Sequence, residues 1–185
     1  MTALRLDDAR ATRLSTELRE SDDVHMEQRR RAVGWLLVSA AAMGVVAAYQ
    51  LGLLKHLPEP PLPRLDADRV TGSAAGYRLL ATPDAVLGLG SFAATLGLVA
   101  MGGTGRTTAQ PWIPLAAAAK AALDALQAAR LTADQWAKHR AFCSWCLVAA
   151  RATMATLRAV LPEAREAARH VTREQAPSSR VPHTP

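Results

Sequence analysis

Two long uncharged runs interrupt an otherwise polar chain. Residues 32–54 (AVGWLLVSAAAMGVVAAYQLGLL) and 85–103 (AVLGLGSFAATLGLVAMGG) contain no Asp, Glu, Lys or Arg. At about 1.5 Å rise per residue, each is long enough as a helix to cross a hydrocarbon core about 30 Å thick. Two further stretches read as spans with polar insertions. Residues 111–131 (PWIPLAAAAKAALDALQAARL) carry Lys120, Asp124 and Gln127, and the stretch 137–161 carries Arg151 and Arg158. Ionisable groups in lipid cost several kcal/mol, so these faces are expected to turn toward other helices or an interface. Lys120 and Asp124 share a helical face at i, i+4 spacing. Counted from the span ends, Asp124 and Arg151 fall at comparable depth in antiparallel helices, which predicts an ion pair locking the third span to the fourth. Alanine and glycine permit close backbone approach between such helices. The pattern therefore predicts an all-α fold, an integral membrane four-helix transmembrane bundle over residues 32–161 with spans of about 32–54, 83–103, 111–131 and 137–161.

The flanks are polar. Residues 1–31 predict an amphipathic helix, with Leu4, Ala11, Leu14 and Leu18 at near-helical spacing, able to lie on a membrane leaflet or dock on a partner. Residues 162–185 predict a helix from 163 to about 175, followed by a disordered APSSRVPHTP. The segment LPEPPLPRLD after the first span is proline-rich and discourages a helix. Lys and Arg counts set the orientation: fourteen fall on the side of the N-terminus and seven on the other, with Lys120 inside a span. Both termini are thus expected in the cytoplasm, in a bacterial-type inner membrane. The first apolar run is too long for a signal-peptide core of about 7–15 residues, and no A-x-A site follows it.

Composition sharpens this frame only slightly. Half of the 185 residues are hydrophobic, yet 4% are aromatic and mean hydropathy is +0.03, because alanine supplies much of the apolar count. The net charge of +6 sits on arginines flanking the spans, which fits anionic lipid as a partner and not nucleic acid. Phosphate-binding glycine loops, H-E-x-x-H and hydrolytic serine or carboxylate constellations are absent from the sequence.

The chemistry is concentrated in AFCSWCLVAA. Cys143 and Cys146 are the only cysteines, and a C-x-x-C pair can close a disulfide, hold a metal or exchange electrons with another thiol. The orientation above places the pair on the outer side, where disulfides persist. Thr132 with Gln135 reads as a capping box, so the fourth helix is expected to begin well before the cysteines. His139 and Arg140 then fall on the same helical face as Cys143 and would favour its thiolate. On the same side, Thr82, Pro83 and Asp84 read as a helix start with Thr82 as cap, and Asp84 is placed to pair with His139 or Arg140. Trp35, Trp112, Trp136 and Trp145 lie near span ends as an aromatic belt. Other readings stay open: two thiols simply packed in a helix, a subunit of a larger membrane complex, or a soft-metal pair. Two sulfurs fill only half a tetrahedral site, with His139 as the obvious third ligand, so no metal centre is assigned.

Four spans with a C-x-x-C at the outer start of the fourth, preceded by a basic residue and followed by leucine, resemble the vitamin K epoxide reductase family of quinone-linked thiol oxidoreductases. Thr82, Pro83, Asp84, Gly88, Gly90 and Phe92 in ATPDAVLGLGSF are similar to that family's second helix. The resemblance covers roughly residues 32–160. It implies that Cys143 exchanges disulfides with a periplasmic thiol protein and that Cys146 lies against a membrane quinone. Asp84, Phe92, His139 and Trp145 are the residues it offers for quinone binding, with Asp84 also able to relay protons. One departure stands out: family members carry a second cysteine pair after the first helix, and the segment 55–82 here has none. A partner thiol would have to reach Cys143 directly.

Overall fold

The structure is a computed structural model that describes residues 8–77 and 81–175. Leu4 and the expected disorder of APSSRVPHTP lie outside the described residues. The described chain is helical: α1 Asp8–Glu20, α2 Val24–Gln50, α3 Ala67–Thr71, α4 Asp84–Ala100, α5 Arg106–Ala109, α6 Trp112–His139 and α7 Ser144–Gln175, with a 3-10 turn at Ala74–Tyr77. Among the described residues there is no strand, only an isolated bridge between Leu65 and Phe142.

The four long helices run up and down around one another, α2 packing on α4 and α7, and α6 on α4 and α7. Two clusters fill the interior. One joins Leu36, Val99, Ala117, Ala121 and Val160; the other joins Val46, Leu57, Val70, Ala85 and Cys143. Alanine is the commonest buried residue in both, which lets the helices approach closely. Larger side chains point outward instead, among them Trp35 and Leu37 on α2, Leu123 and Leu126 on α6, and Val148 on α7. By length and apolarity α2 is able to cross a membrane, while α4 is apolar but shorter.

Several boundaries differ from those read in the sequence, each for a local reason. The N-terminal helix breaks at residues 21–23, because the Asp23 carboxylate accepts the N–H groups of His25 and Met26 and starts α2 there. The expected capping box at Thr132 and Gln135 lies inside α6: the Thr132 hydroxyl donates back to the Ala128 carbonyl at 2.8 Å. Alanine-rich α6 simply continues to His139, and Arg140 ends it in a left-handed conformation with φ 52°. At α4, Pro83 and not Thr82 takes the cap position. The tail helix expected after residue 162 is the continuation of α7, which runs through Pro162. There Ala164 and Ala167 are buried, and Glu163 receives two bonds of 2.6 Å from the Arg106 guanidinium.

The expected Asp124–Arg151 pair does not form. Asp124 accepts from Lys120 at 2.6 Å, Ser91 at 2.7 Å and Thr95 at 2.5 Å, so it ties α6 to α4. Arg151 is exposed on an open groove between α6 and α7. A neighbour four residues away on the same helix satisfies the carboxylate at lower conformational cost than an arginine on another helix.

At the opposite end from the cysteines, Arg29 caps α4. It is 4% exposed, and its guanidinium donates to the carbonyls of Val99, Ala100, Met101 and Gly102. Burial and then the neighbouring Arg106 hold its pKa down to about 10.

Candidate functional site

The cysteines sit where the chain reverses between α6 and α7. Because α6 stops at His139 and α7 begins at Ser144, Cys143 is the N-cap of α7 and Cys146 its third residue. The Leu147 N–H donates to the Cys143 carbonyl at 3.0 Å, and the Cys146 N–H donates to the Cys143 sulfur at 3.2 Å. That is the bond a serine or aspartate cap would make, with sulfur in place of oxygen. A fourth helix that begins well before the cysteines, as the spacing of Thr132 and Gln135 predicts, does not form: α6 ends at His139 and α7 starts at Ser144. Cys143 is at the positive end of a 32-residue helix.

Cys143 has no solvent exposure. Its N–H donates to the buried Gln135 side chain at 3.0 Å. Both thiols are free. The Cys146 side chain hydrogen-bonds to Cys143, and this, with the backbone N–H groups of Cys146 and Trp145, holds the Cys143 thiol below the ordinary thiol value; burial and the Glu59 carboxylate act in the opposite direction. The arrangement directs both the side chain and the N–H of Cys146 at the Cys143 sulfur.

A cavity of about 360 Å³ opens behind Cys146, between α2, α4, α6 and α7. Asp84, Phe92 and His139 all line it, so three of the residues named from the sequence share a cavity with the second thiol. It places them differently from the expected pairing. Asp84 accepts from Gln50 Nε2 at 2.7 Å, not from His139 or Arg140, and His139 stands on the facing wall. Arg140 turns away, its guanidinium 5.5 Å from the Trp136 ring centroid. Trp145 is not among the cavity residues; its ring N–H donates to the Pro58 carbonyl at 2.7 Å, which ties it to the loop after α2. His139 is on α6, not one helical turn before Cys143, and among the described residues no group of three or more His, Cys, Asp or Glu is arranged to hold a metal.

Three residues missed in the sequence build the site. Gln50 joins three elements, donating to Thr71 O and Asp84 and accepting the Ala85 N–H. Gln135 positions Cys143. Glu59, from the proline-rich loop, accepts the Ser144 N–H at 2.7 Å and the Ala67 N–H at 2.6 Å. A glutamine within the apolar run, at position 50, is the one visible signal; the other two act through contacts that no local pattern encodes.

A dithiol at a helix terminus, backed by a cavity in an alanine-rich bundle, is an arrangement able to carry out thiol–disulfide exchange. The family model described as vitamin K epoxide reductase family matches residues 32–161, 130 of the 185 residues. The chain belongs to that family, and is in general terms a membrane-associated thiol oxidoreductase. No curated protein and no solved structure matches it.

Proposed function

We propose that this protein passes electrons from a partner dithiol through Cys143 and Cys146 to a membrane quinone. The observation that supports this most directly is the position of Cys146, between Cys143 and the cavity. The cavity suits an aromatic, largely apolar ring: Met43, Val46, Phe92 and Leu131 give apolar walls, and Asp84 and His139 give polar groups at separate points. A quinone held there would supply the acceptor for two electrons and two protons.

The residues divide the work. A partner thiolate attacks the Cys143 sulfur of the oxidised pair, the bond to Cys146 breaks, and Cys146 leaves with the electron pair and takes up a proton. The second partner thiol then displaces Cys143, so the partner leaves as a disulfide and the pair is left as two thiols. Returning the pair to the disulfide releases two electrons and two protons on the cavity side. Of the titratable side chains lining the cavity, Asp124 is paired with Lys120 and Asp134 with Lys138, which leaves Asp84, fixed by Gln50, and His139 to move protons.

In this reading the four long helices form a transmembrane bundle in a bacterial-type inner membrane, with both termini cytoplasmic. The outward Trp35, Leu37, Leu123 and Leu126 contact lipid. The partner is a periplasmic thiol protein that meets Cys143 directly, since the loop holds no cysteine of its own. A role as an accessory subunit of a membrane complex would leave the pair without turnover. The test is acid-quenched alkylation of membranes, first with reductant and then with added quinone. Conversion of both thiols to a disulfide under quinone supports the reading. Thiols that stay reduced would transfer it to the accessory role, and stoichiometric retention of a soft metal would transfer it to metal handling.

A further inference from the structure

The loop between α2 and α3 closes over Cys143 by several independent ties. Leu57 is buried in the same cluster as the cysteine. The Phe142 N–H donates to the Arg64 carbonyl at 2.8 Å, and the Asp66 N–H to the Phe142 carbonyl at 3.0 Å. Trp145 holds the Pro58 carbonyl. Within this cover one side chain hydrogen-bonds to the reactive helix itself: Glu59 spans the Ser144 and Ala67 N–H groups with its two oxygens. The other loop carboxylates nearby are committed within the loop region, Asp66 to the Arg69 N–H and Asp68 to the Leu57 N–H and His56.

We propose that Glu59 is a positioning residue of the thiol exchange: its carboxylate locks residues 57–66 over the Cys143 sulfur, and a partner thiol reaches that sulfur only once the carboxylate has left Ser144. This rests on the reading of Cys143 as the exchange cysteine. It follows from two facts that a simple helix cap does not combine. The sulfur has no exposure while the cover is closed, and the group that closes it carries the charge least favourable to a thiolate at the N-terminus of α7. Departure of Glu59 therefore exposes the sulfur and removes a negative charge from beside it in one movement. Access and the charge beside the sulfur are thus coupled: the Glu59 carboxylate opposes the Cys143 thiolate while the cover is closed and no longer does so once it leaves. The remaining charged groups around the pair leave this role to Glu59: Asp84 of α4 is held by Gln50, Asp134 and Lys138 of α6 pair with each other, and His139 of α6 lines the cavity on the Cys146 side.

The experiment uses the full chain in membranes with Cys146→Ser, so that Cys143 is the single thiol, and follows its alkylation by a small maleimide and by a bulky polyethylene-glycol maleimide across pH. Glu59→Ala is expected to raise the bulky-reagent rate about tenfold or more, since two charge-assisted bonds are lost. Ser144→Pro is expected to do the same while leaving Glu59 in place, because proline is well accepted at the first helical position but offers no N–H; it decides the matter if Glu59→Ala does not fold. Glu59→Gln, which removes charge but keeps an acceptor, is expected to lower the small-reagent pH midpoint by about half a unit. Bulky-reagent rates unchanged in both Glu59→Ala and Ser144→Pro, or a midpoint unmoved in Glu59→Gln, would overturn the proposal. With Cys146 replaced, the pair cannot form a disulfide or pass electrons to a quinone, so failure of quinone-linked turnover and failure of the latch are read separately.

Discussion

At the scale of single residues, what distinguishes Cys143 from Cys146 is a pair of hydrogen bonds directed at one sulfur. Both bonds come from Cys146, through its side chain and its N–H, so the two thiols are unequal before any substrate arrives. Replacing Cys146 by serine keeps a donor, and replacing it by alanine removes one. The pH midpoint for Cys143 alkylation is expected below the ordinary thiol value with Cys146→Ser and higher with Cys146→Ala; equal midpoints would show that the side-chain bond does not set the thiol. Gln135 offers a second case. It accepts the N–H of a fully buried cysteine, so Gln135→Leu orphans that group at about 1–3 kcal/mol, measurable as a lowered unfolding midpoint in detergent, whereas Gln135→Glu keeps an acceptor and much of the stability. The cysteines and Asp84, Phe92 and His139 could be named from the sequence because they stand in or beside local motifs. Glu59, Gln50 and Gln135 could not, because each acts on a residue brought near only by the fold.

At the scale of elements, helices were legible and their ends were not. Apolar runs announced α2 and α4, but the start of α7 was misread because Thr132 and Gln135 match a capping box by spacing while the hydroxyl is already spent on Ala128. Tertiary contacts also decided the polar pairs, and two at the end away from the cysteines make firm predictions. Arg106 and Glu163, with side chains 2% and 4% exposed, tie α5 to α7. Breaking that pair with Glu163→Gln or Arg106→Gln is expected to cost about 3–5 kcal/mol, and the double substitution less than the sum, because each single change strands a buried charge. Additive losses in a double-mutant cycle would show that the pair is not coupled. His25 links the start of α2 to α7 through Glu166 at 2.6 Å. Burial pushes its pKa down, but the Glu166 and Gln28 acceptors more than offset this and raise it above the ordinary histidine value. A group raised on folding stabilises fully below its unfolded pKa and loses that contribution as pH climbs through the folded one. His25→Gln is therefore expected to lower the unfolding midpoint at about pH 5.5 and to match the parent at about pH 8.5; a gap that widens with pH would rule the pairing out.

At the scale of the whole molecule, the sequence supplied the helical class and the family by its motifs, while the arrangement of charge inside the bundle depended on packing that alanine-rich helices leave underdetermined. Many registers bring two alanine faces together at similar energy, so Asp124 was free to be satisfied by Lys120, Ser91 and Thr95 instead of Arg151. The up-and-down path nevertheless has a strict consequence. It puts the N-terminal part of α2, the C-terminal end of α4 and Glu163 at one end, as Arg29 and Arg106 demonstrate by both reaching the Val99 carbonyl; Gln50, Asp84 and the cysteines are at the other. If the bundle spans a membrane as proposed, the two ends face opposite compartments, and the excess of arginine at the first end predicts that this end is the cytoplasmic one. The check uses a chain with both cysteines replaced by serine and one new cysteine at an exposed position: Leu62→Cys in the cover loop or Glu20→Cys at the end of α1. In intact cells an impermeant maleimide is expected to label Leu62→Cys, and to label Glu20→Cys only after permeabilisation. Labelling of both from outside would remove the transmembrane topology, and the reverse order would keep the bundle but place the thiol pair in the cytoplasm, where a reduced Cys143 and Cys146 would need a different electron partner.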